Sequence, residues 1–348
     1  MKREARRLAT VTDVRRWLAE HPLATSAVAI GIAGVAVLVI ARVTGANAVG
    51  RAFDRIDPPW VALIAGASLL TYPAYALAYR AIADIHGHGP IALPMVARVV
   101  VAGFGPFAIS GGFGIDQQAL LALHEDERSA RVRVIALGVL EWAVLAPLCC
   151  VVSIVLLVQG ANILPSLLWP WAVAVPLGFG FGLWASAPGR AERISRIGGK
   201  RREWLAQALE GVGVLHDLIL KPKRYRMAWL GTALYWAADI GAFYGGLRLF
   251  GLAPGAGKVI IAYGTGYAAT RRSLPLGGAG VTEVLMTYSL YWVREPLAPA
   301  LAAVLAYRVF NLAVVAAPAL IAHNQLRPLL SSTRPGSFRR PRAGKPPS

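Results

Sequence analysis

From Trp142 to Ala187 the chain carries no charged side chain. A helix needs about 20 apolar residues to cross the hydrocarbon core of a bilayer. This run is too long for one crossing and too apolar for the surface of a soluble protein. It therefore predicts two crossings, with a break near Gln159 to Pro165. Leu23–Ala41 and Pro58–Tyr79 are further uncharged runs of spanning length. Charged residues make up 16% of the chain, against about 25% in soluble domains. Mean hydropathy is +0.53. A soluble enzyme is excluded, and an all-α polytopic integral membrane protein is expected.

The formal charge is +18. On a soluble domain that balance would point to nucleic acid. Here the basic residues fall in the gaps between apolar runs, which is a topology signal, and no nucleic-acid motif accompanies them. No nucleic-acid partner is expected. The two cysteines, Cys149 and Cys150, are adjacent inside an apolar run and read as small buried side chains. His86 and His88 form the one close histidine pair, in a Gly-rich loop. Neither set has metal-ligand spacing, and no metal or cofactor is expected. The first apolar run lacks a small-residue cleavage pattern, so it reads as a span rather than a signal peptide.

Six full spans are predicted, near 23–43, 59–83, 132–158, 163–187, 228–252 and 297–322. Two further apolar segments, near 92–123 and 257–291, are interrupted at their centres. The breakers are Gly103, Gly105, Pro106, Gly111, Gly112 and Gly114 in the first, and Pro275, Gly277, Gly278 and Gly280 in the second. An arm of about 10 helical residues is about 15 Å long and reaches half a bilayer. Two arms around a break make a re-entrant hairpin, whose irregular backbone must be covered by protein or line a polar cavity. Short kinked spans are the alternative. With hairpins and a cytoplasmic N-terminus, the basic loop 188–227 and the basic tail after 322 share the cytoplasmic side of an inner membrane.

The chain also repeats itself. Gly111-Gly112-Phe113-Gly114 matches Gly277-Gly278-Ala279-Gly280 at an offset of 166 residues. Glu141 matches Arg308 at 167, and Tyr72 matches Tyr235 at 163. Each unit reads as span, hairpin, span, and the two run in opposite senses through the membrane. Broken helices in inverted repeats are an architecture of transporters. The expected organisation is a basic tail, first span and outer loop over 1–56 and repeat unit one over 57–158. A connecting span and basic amphipathic segment follow over 159–220, then repeat unit two over 221–322 and a basic, disordered tail over 323–348. The amphipathic segment fits either a helix lying on an anionic leaflet or a linker helix.

The run Arg271-Arg272-Ser273-Leu274-Pro275-Leu276-Gly277-Gly278-Ala279-Gly280-Val281-Thr282-Glu283 resembles the Pro-Gly-Gly-x-Gly-x-x-Glu motif of the lysylphosphatidylglycerol synthase transmembrane-region family. The likeness extends over about 57 to 322. Leu276 departs from the spacer common in that family. About 26 residues follow the last predicted span, so the resemblance implies the stand-alone flippase part without the aminoacyl-transferase domain. It implies movement of a lipid or a lipid-linked head group between leaflets.

Ionisable residues at membrane depth are costly and mark candidate sites. Arg98, Arg271 and Arg272 precede the two breaks, and guanidinium forks suit phosphate. Asp116 and Glu283 are expected in the first turns of the helices after the breaks. Capping is one reading for them; a partner for a cationic head group, or a proton-coupling carboxylate, is the other. Glu141, Arg308 and Asp239 form a second group, in which Glu141 and Arg308 are expected to pair across the pseudo-twofold axis. The expected partners are membrane lipids, an anionic phospholipid or a polyprenyl-phosphate lipid, with a second copy or a partner enzyme left open. A membrane transferase acting on a lipid carrier and a non-transporting scaffold are the rival functions.

Overall fold

The computed structural model describes residues 21–44, 57–84, 91–105, 112–123, 126–187, 189–190, 193, 200–266 and 278–332. These residues are helical with short connections, and no strand occurs among them. The helices are α1 (Pro22–Thr44), α2 (Pro58–Ala83), α3 (Leu93–Gly103), α4 (Gly112–Ala122), α5 (Glu127–Val158) and α6 (Pro165–Ala185). They continue as α7 (Lys200–Leu220), α8 (Arg226–Leu249), α9 (Ala256–Gly266), α10 (Val281–Trp292) and α11 (Leu297–Ser332). By length and apolarity, α2, α5, α6 and residues Leu297–Pro328 of α11 can each cross a membrane. The apolar stretch of α11 is 56% buried within the protein and that of α6 only 11%. This makes α11 central and leaves α6 at the periphery.

Local chemistry sets the helix ends. Prolines open α2, α3 and α6, where a missing N–H costs nothing. Asp126 caps α5 by accepting from Ser129 N at 2.9 Å. Three C-termini close with the same pair of backbone bonds, a six-to-one bond around a five-to-two bond. Gly160 and Gly251 hold the left-handed position after α5 and α8, and Arg294 holds it after α10 with φ of 72°. Helix α6 contains a π turn at Pro170–Ala174. Pro170 and Pro176 each remove one i→i−4 bond, and the wider turn absorbs the defect. The Ala172 carbonyl, which cannot accept the usual bond from Pro176, receives the Cys150 thiol.

The centre of the protein is the seam between α2 and α8. Gly231 lies against Ala74, Leu77 and Ala78, and Gly245 lies against Leu63 and Ile64. The partner numbers fall as the chain advances, so the two helices are antiparallel. A Cβ at Gly231 would stand 2.6 Å from Ala78 N and 2.7 Å from Ala74 O, so only glycine allows this approach. Small residues play the same role between membrane helices in general. Around the seam, packing is crosswise. Helix α3 packs on α11, while α9 packs on α5, with Gly257 against Leu156 and Gly264 against Cys149.

Each interrupted segment folds as two short helices in contact, α3 with α4 and α9 with α10. The breaks themselves, with Pro106, Gly111, Arg271, Arg272, Pro275 and Gly277, lie outside the described residues. One expectation is corrected. Helix α11 runs ten residues beyond 322, so the segment 323–332 is helix, not disordered tail; residues 333–348 lie outside the described residues. The basic segment is helical. Helix α7 docks on α5 and α6, burying Ala206, Val214, Leu215 and Leu218, and Arg128 reaches Glu210 at 2.9 Å.

Candidate functional site

Four carboxylates are buried among the described residues, and three of them, each on a different helix, tie helices together. The first is Glu283, in the first turn of α10. Its Oε2 reaches back to accept from Gly280 N at 2.7 Å, which caps the helix. Gly280 has φ of 84° and Gly278 has φ of 71°, a left-handed conformation open to glycine. The other oxygen, Oε1, accepts from Arg308 Nε at 2.8 Å. The two side chains are 2% and 4% exposed, so this is a buried ion pair between α10 and α11.

The second carboxylate is Asp239, fully buried near the middle of α8. Tyr263 Oη on α9 donates to its Oδ2, and Asn311 Nδ2 on α11 donates to its Oδ1 at 3.1 Å. Tyr72 Oη on α2 then donates to the Asn311 carbonyl at 3.3 Å. Four helices meet on this chain of bonds. The third is Glu141, midway along α5. Tyr75 Oη donates to its Oε1 at 2.8 Å, and Trp236 Nε1 donates to its backbone carbonyl at 2.9 Å.

An aromatic wall joins these centres. Phe104, at the end of α3, stands edge-on to Tyr72 and Tyr75 at 5.5 and 5.1 Å. The wall continues through Tyr235, Trp236, Tyr263 and Phe243 to Tyr307.

The sequence-predicted residues separate as follows. Glu283 and Arg308 come together directly. Arg308 pairs with Glu283 rather than with the expected Glu141, and Glu141 accepts from the Tyr75 hydroxyl. Asp116 is fully buried but sits in the second turn of α4, not the first, because α4 begins at Gly112. Gly112 is buried and Gly114 half-buried in that first turn. Arg98 stands on the exposed face of α3, opposite the buried Val96, Val99 and Val100. The sequence reading missed Tyr75, Tyr263 and Asn311. Asn311 had a visible signal, an uncharged polar residue deep in a spanning helix.

The arrangement supplies buried charge and hydrogen-bonding capacity at membrane depth. Among the described residues no cluster of metal-ligand side chains occurs. The model of the family described as Lysylphosphatidylglycerol synthase TM region matches residues 26–319. No curated protein matches the chain.

Proposed function

The chain belongs to the lysylphosphatidylglycerol synthase TM region family, and on that premise we propose that it moves an anionic lipid head group between the two leaflets, acting as a transporter rather than an enzyme. The reading rests chiefly on the buried Glu283–Arg308 pair, which joins the helix after the second break to the central helix α11. Taking two charges out of water costs several kcal/mol per ion before pairing returns any of it. A membrane protein that retains such a pair in its core has a polar task there.

In this proposal α2–α5 and α8–α11 are two inverted units. Their matched element order, the antiparallel α2–α8 seam and the crosswise packing of α3 and α9 support it. The head group, on a phospholipid or a polyprenyl phosphate, enters between the units while its hydrocarbon stays in lipid. Arg271 and Arg272, which follow α9 in the chain, supply positive charge for the phosphate. The N-terminal turns of α4 and α10 add their dipoles. Asp239, Glu141 and their tyrosine partners give successive hydrogen-bonding stations. Both termini face the cytoplasm, and the membrane is the inner one.

The test is leaflet exchange in liposomes carrying the purified protein and either labelled phosphatidylglycerol or a labelled polyprenyl phosphate. Exchange faster than in protein-free vesicles is expected, and slower exchange in Arg272→Ala, with its fold checked separately. No acceleration with either lipid class refutes the proposal.

A further inference from the structure

Helix α7 crosses the same end of three other helices. A Cβ at Gly211 would stand 2.5 Å from the Ile135 side chain of α5, so the two helices touch at that glycine. Gly213 lies against Ser186, the residue after α6. The Leu218 carbonyl accepts from Trp229 Nε1, in the first turn of α8, at 3.2 Å. Helix α5 has 32 residues and is about 48 Å long, against about 30 Å of hydrocarbon. Its first turns carry Glu127, Arg128, Arg131 and Arg133, and the uncharged run starts where Gly211 makes contact. That contact sets α7 at the boundary between head groups and hydrocarbon. We propose that α7 lies on the membrane surface and that the basic turn after it, Lys221–Arg226, binds the head groups of anionic phospholipids in that leaflet. These lipids belong to the surface rather than to the cargo, so the site stands whether or not the protein transports.

The sequence of α7 divides into three faces. Ala206, Gln207, Gly211, Val214, Leu215 and Leu218 are buried and form the docking face. Glu203, Glu210 and Asp217 recur every seven residues and form a charged face; Glu210 meets Arg128 and Asp217 meets Lys221. Trp204, Leu205, Ala208, Val212 and Ile219 share a third, apolar face. Trp204 is 59% exposed and Leu205 43%. A linker helix in water has no use for that face. A helix in the plane of the interface turns such a face toward the acyl chains and its charges toward water. Trp184, at the end of α6, is 62% exposed at the same end of the bundle. Tryptophan gathers at the membrane–water boundary, which fits this depth.

The turn supplies the cations. Lys221, Lys223, Arg224 and Arg226 are all exposed. Lys221 is held by Asp217 at 2.8 Å, which leaves Lys223, Arg224 and Arg226 to face phosphates. The Arg224 guanidinium stands over the Tyr225 ring, 5.5 Å from its centre. Leu220 and Met227 flank the turn and are exposed. Cations bordered by exposed apolar side chains match a lipid surface, where both are satisfied; an acidic peptide would leave the apolar ones in water. A basic residue close to an anionic leaflet favours it about fivefold.

One probe reads both parts of the proposal. Leu220→Cys is labelled with bimane in the full chain, in phosphatidylcholine nanodiscs. Cys149 and Cys150 are buried, and the parent chain treated with the same reagent is the blank. Phosphatidylglycerol spin-labelled near the head of one acyl chain should quench the probe at a mole fraction at least tenfold lower than phosphatidylcholine labelled in the same place. Iodide in the water should quench it weakly. With Lys223→Ser, Arg224→Ser and Arg226→Ser together, all at exposed positions, the two lipids should quench alike. Strong quenching by iodide and none by either lipid overturns the surface placement. Equal quenching by the two lipids in the parent, or a preference that survives the triple substitution, overturns the head-group site. A preference abolished by excess inorganic phosphate would mean a soluble anion and overturns it as well.

Discussion

Replacing glycine by alanine should move stability in opposite directions at two positions of this protein. At Gly178 the new methyl enters open space. The helix then gains the propensity difference between the residues, about 1 kcal/mol. At Gly231 the same methyl stands 2.6 Å from Ala78 N and 2.7 Å from Ala74 O, both rigid backbone atoms of α2. Ordinary contact begins at 3.4 Å, so α2 and α8 must part by about 0.8 Å or bend. Overpacking of this kind costs roughly 1–3 kcal/mol, which outweighs the gain in propensity. Gly231→Ala should therefore be less stable than the parent by up to about 2 kcal/mol. Gly178→Ala should be more stable by up to about 1 kcal/mol. Reversible unfolding in mixed micelles of rising dodecyl sulfate content, followed by far-ultraviolet circular dichroism, measures both. If Gly231→Ala matches or exceeds Gly178→Ala in stability, the close α2–α8 seam is wrong.

In the same unfolding assay, Glu283→Ala and Arg308→Ala should each cost about 3–5 kcal/mol, because each removes one half of a buried ion pair. The double variant should cost less than the sum; additive losses would contradict the pair. Arg294→Gly should raise stability by roughly 1 kcal/mol by removing the left-handed strain of a side-chain-bearing residue. A loss of stability there would show that the Arg294 side chain outweighs the strain. For orientation, Arg294→Cys should react with an impermeant thiol reagent from outside intact cells and Lys200→Cys should not. The reverse pattern would invert the proposed topology.

The helices were legible because hydropathy and breakers act locally. The predicted spans 59–83 and 228–252 became Pro58–Ala83 and Arg226–Leu249, and the interrupted segments became paired short helices. Boundaries slipped where the signal weakened. Helix α5 starts at Glu127 because Asp126 caps it, five residues before the apolar run begins. Side-chain partners were less legible. An ionisable residue at depth announces that it needs a partner but not which one. Glu283 competes with Glu141 for Arg308, and only the three-dimensional approach of α10 to α11 decides. Tyr75 and Tyr263 are invisible to hydropathy because a tyrosine in an apolar run counts as apolar.

The antiparallel seam has an electrical consequence. Every α-helix carries a dipole along its axis, positive at the N-terminus. Helices α2 and α8 lie side by side with opposite sense and nearly equal length, 26 and 24 residues, so their dipoles cancel across the membrane. The pair does almost no work when the membrane potential changes. Voltage acts instead on side-chain charge, at about 2.3 kcal/mol per elementary charge per 100 mV for a full crossing. The neutral Glu283–Arg308 pair contributes nothing to that sum. On the proposed transport reading, a measured voltage dependence would sum the charge on the lipid with that of every other ionised side chain that moves in the field.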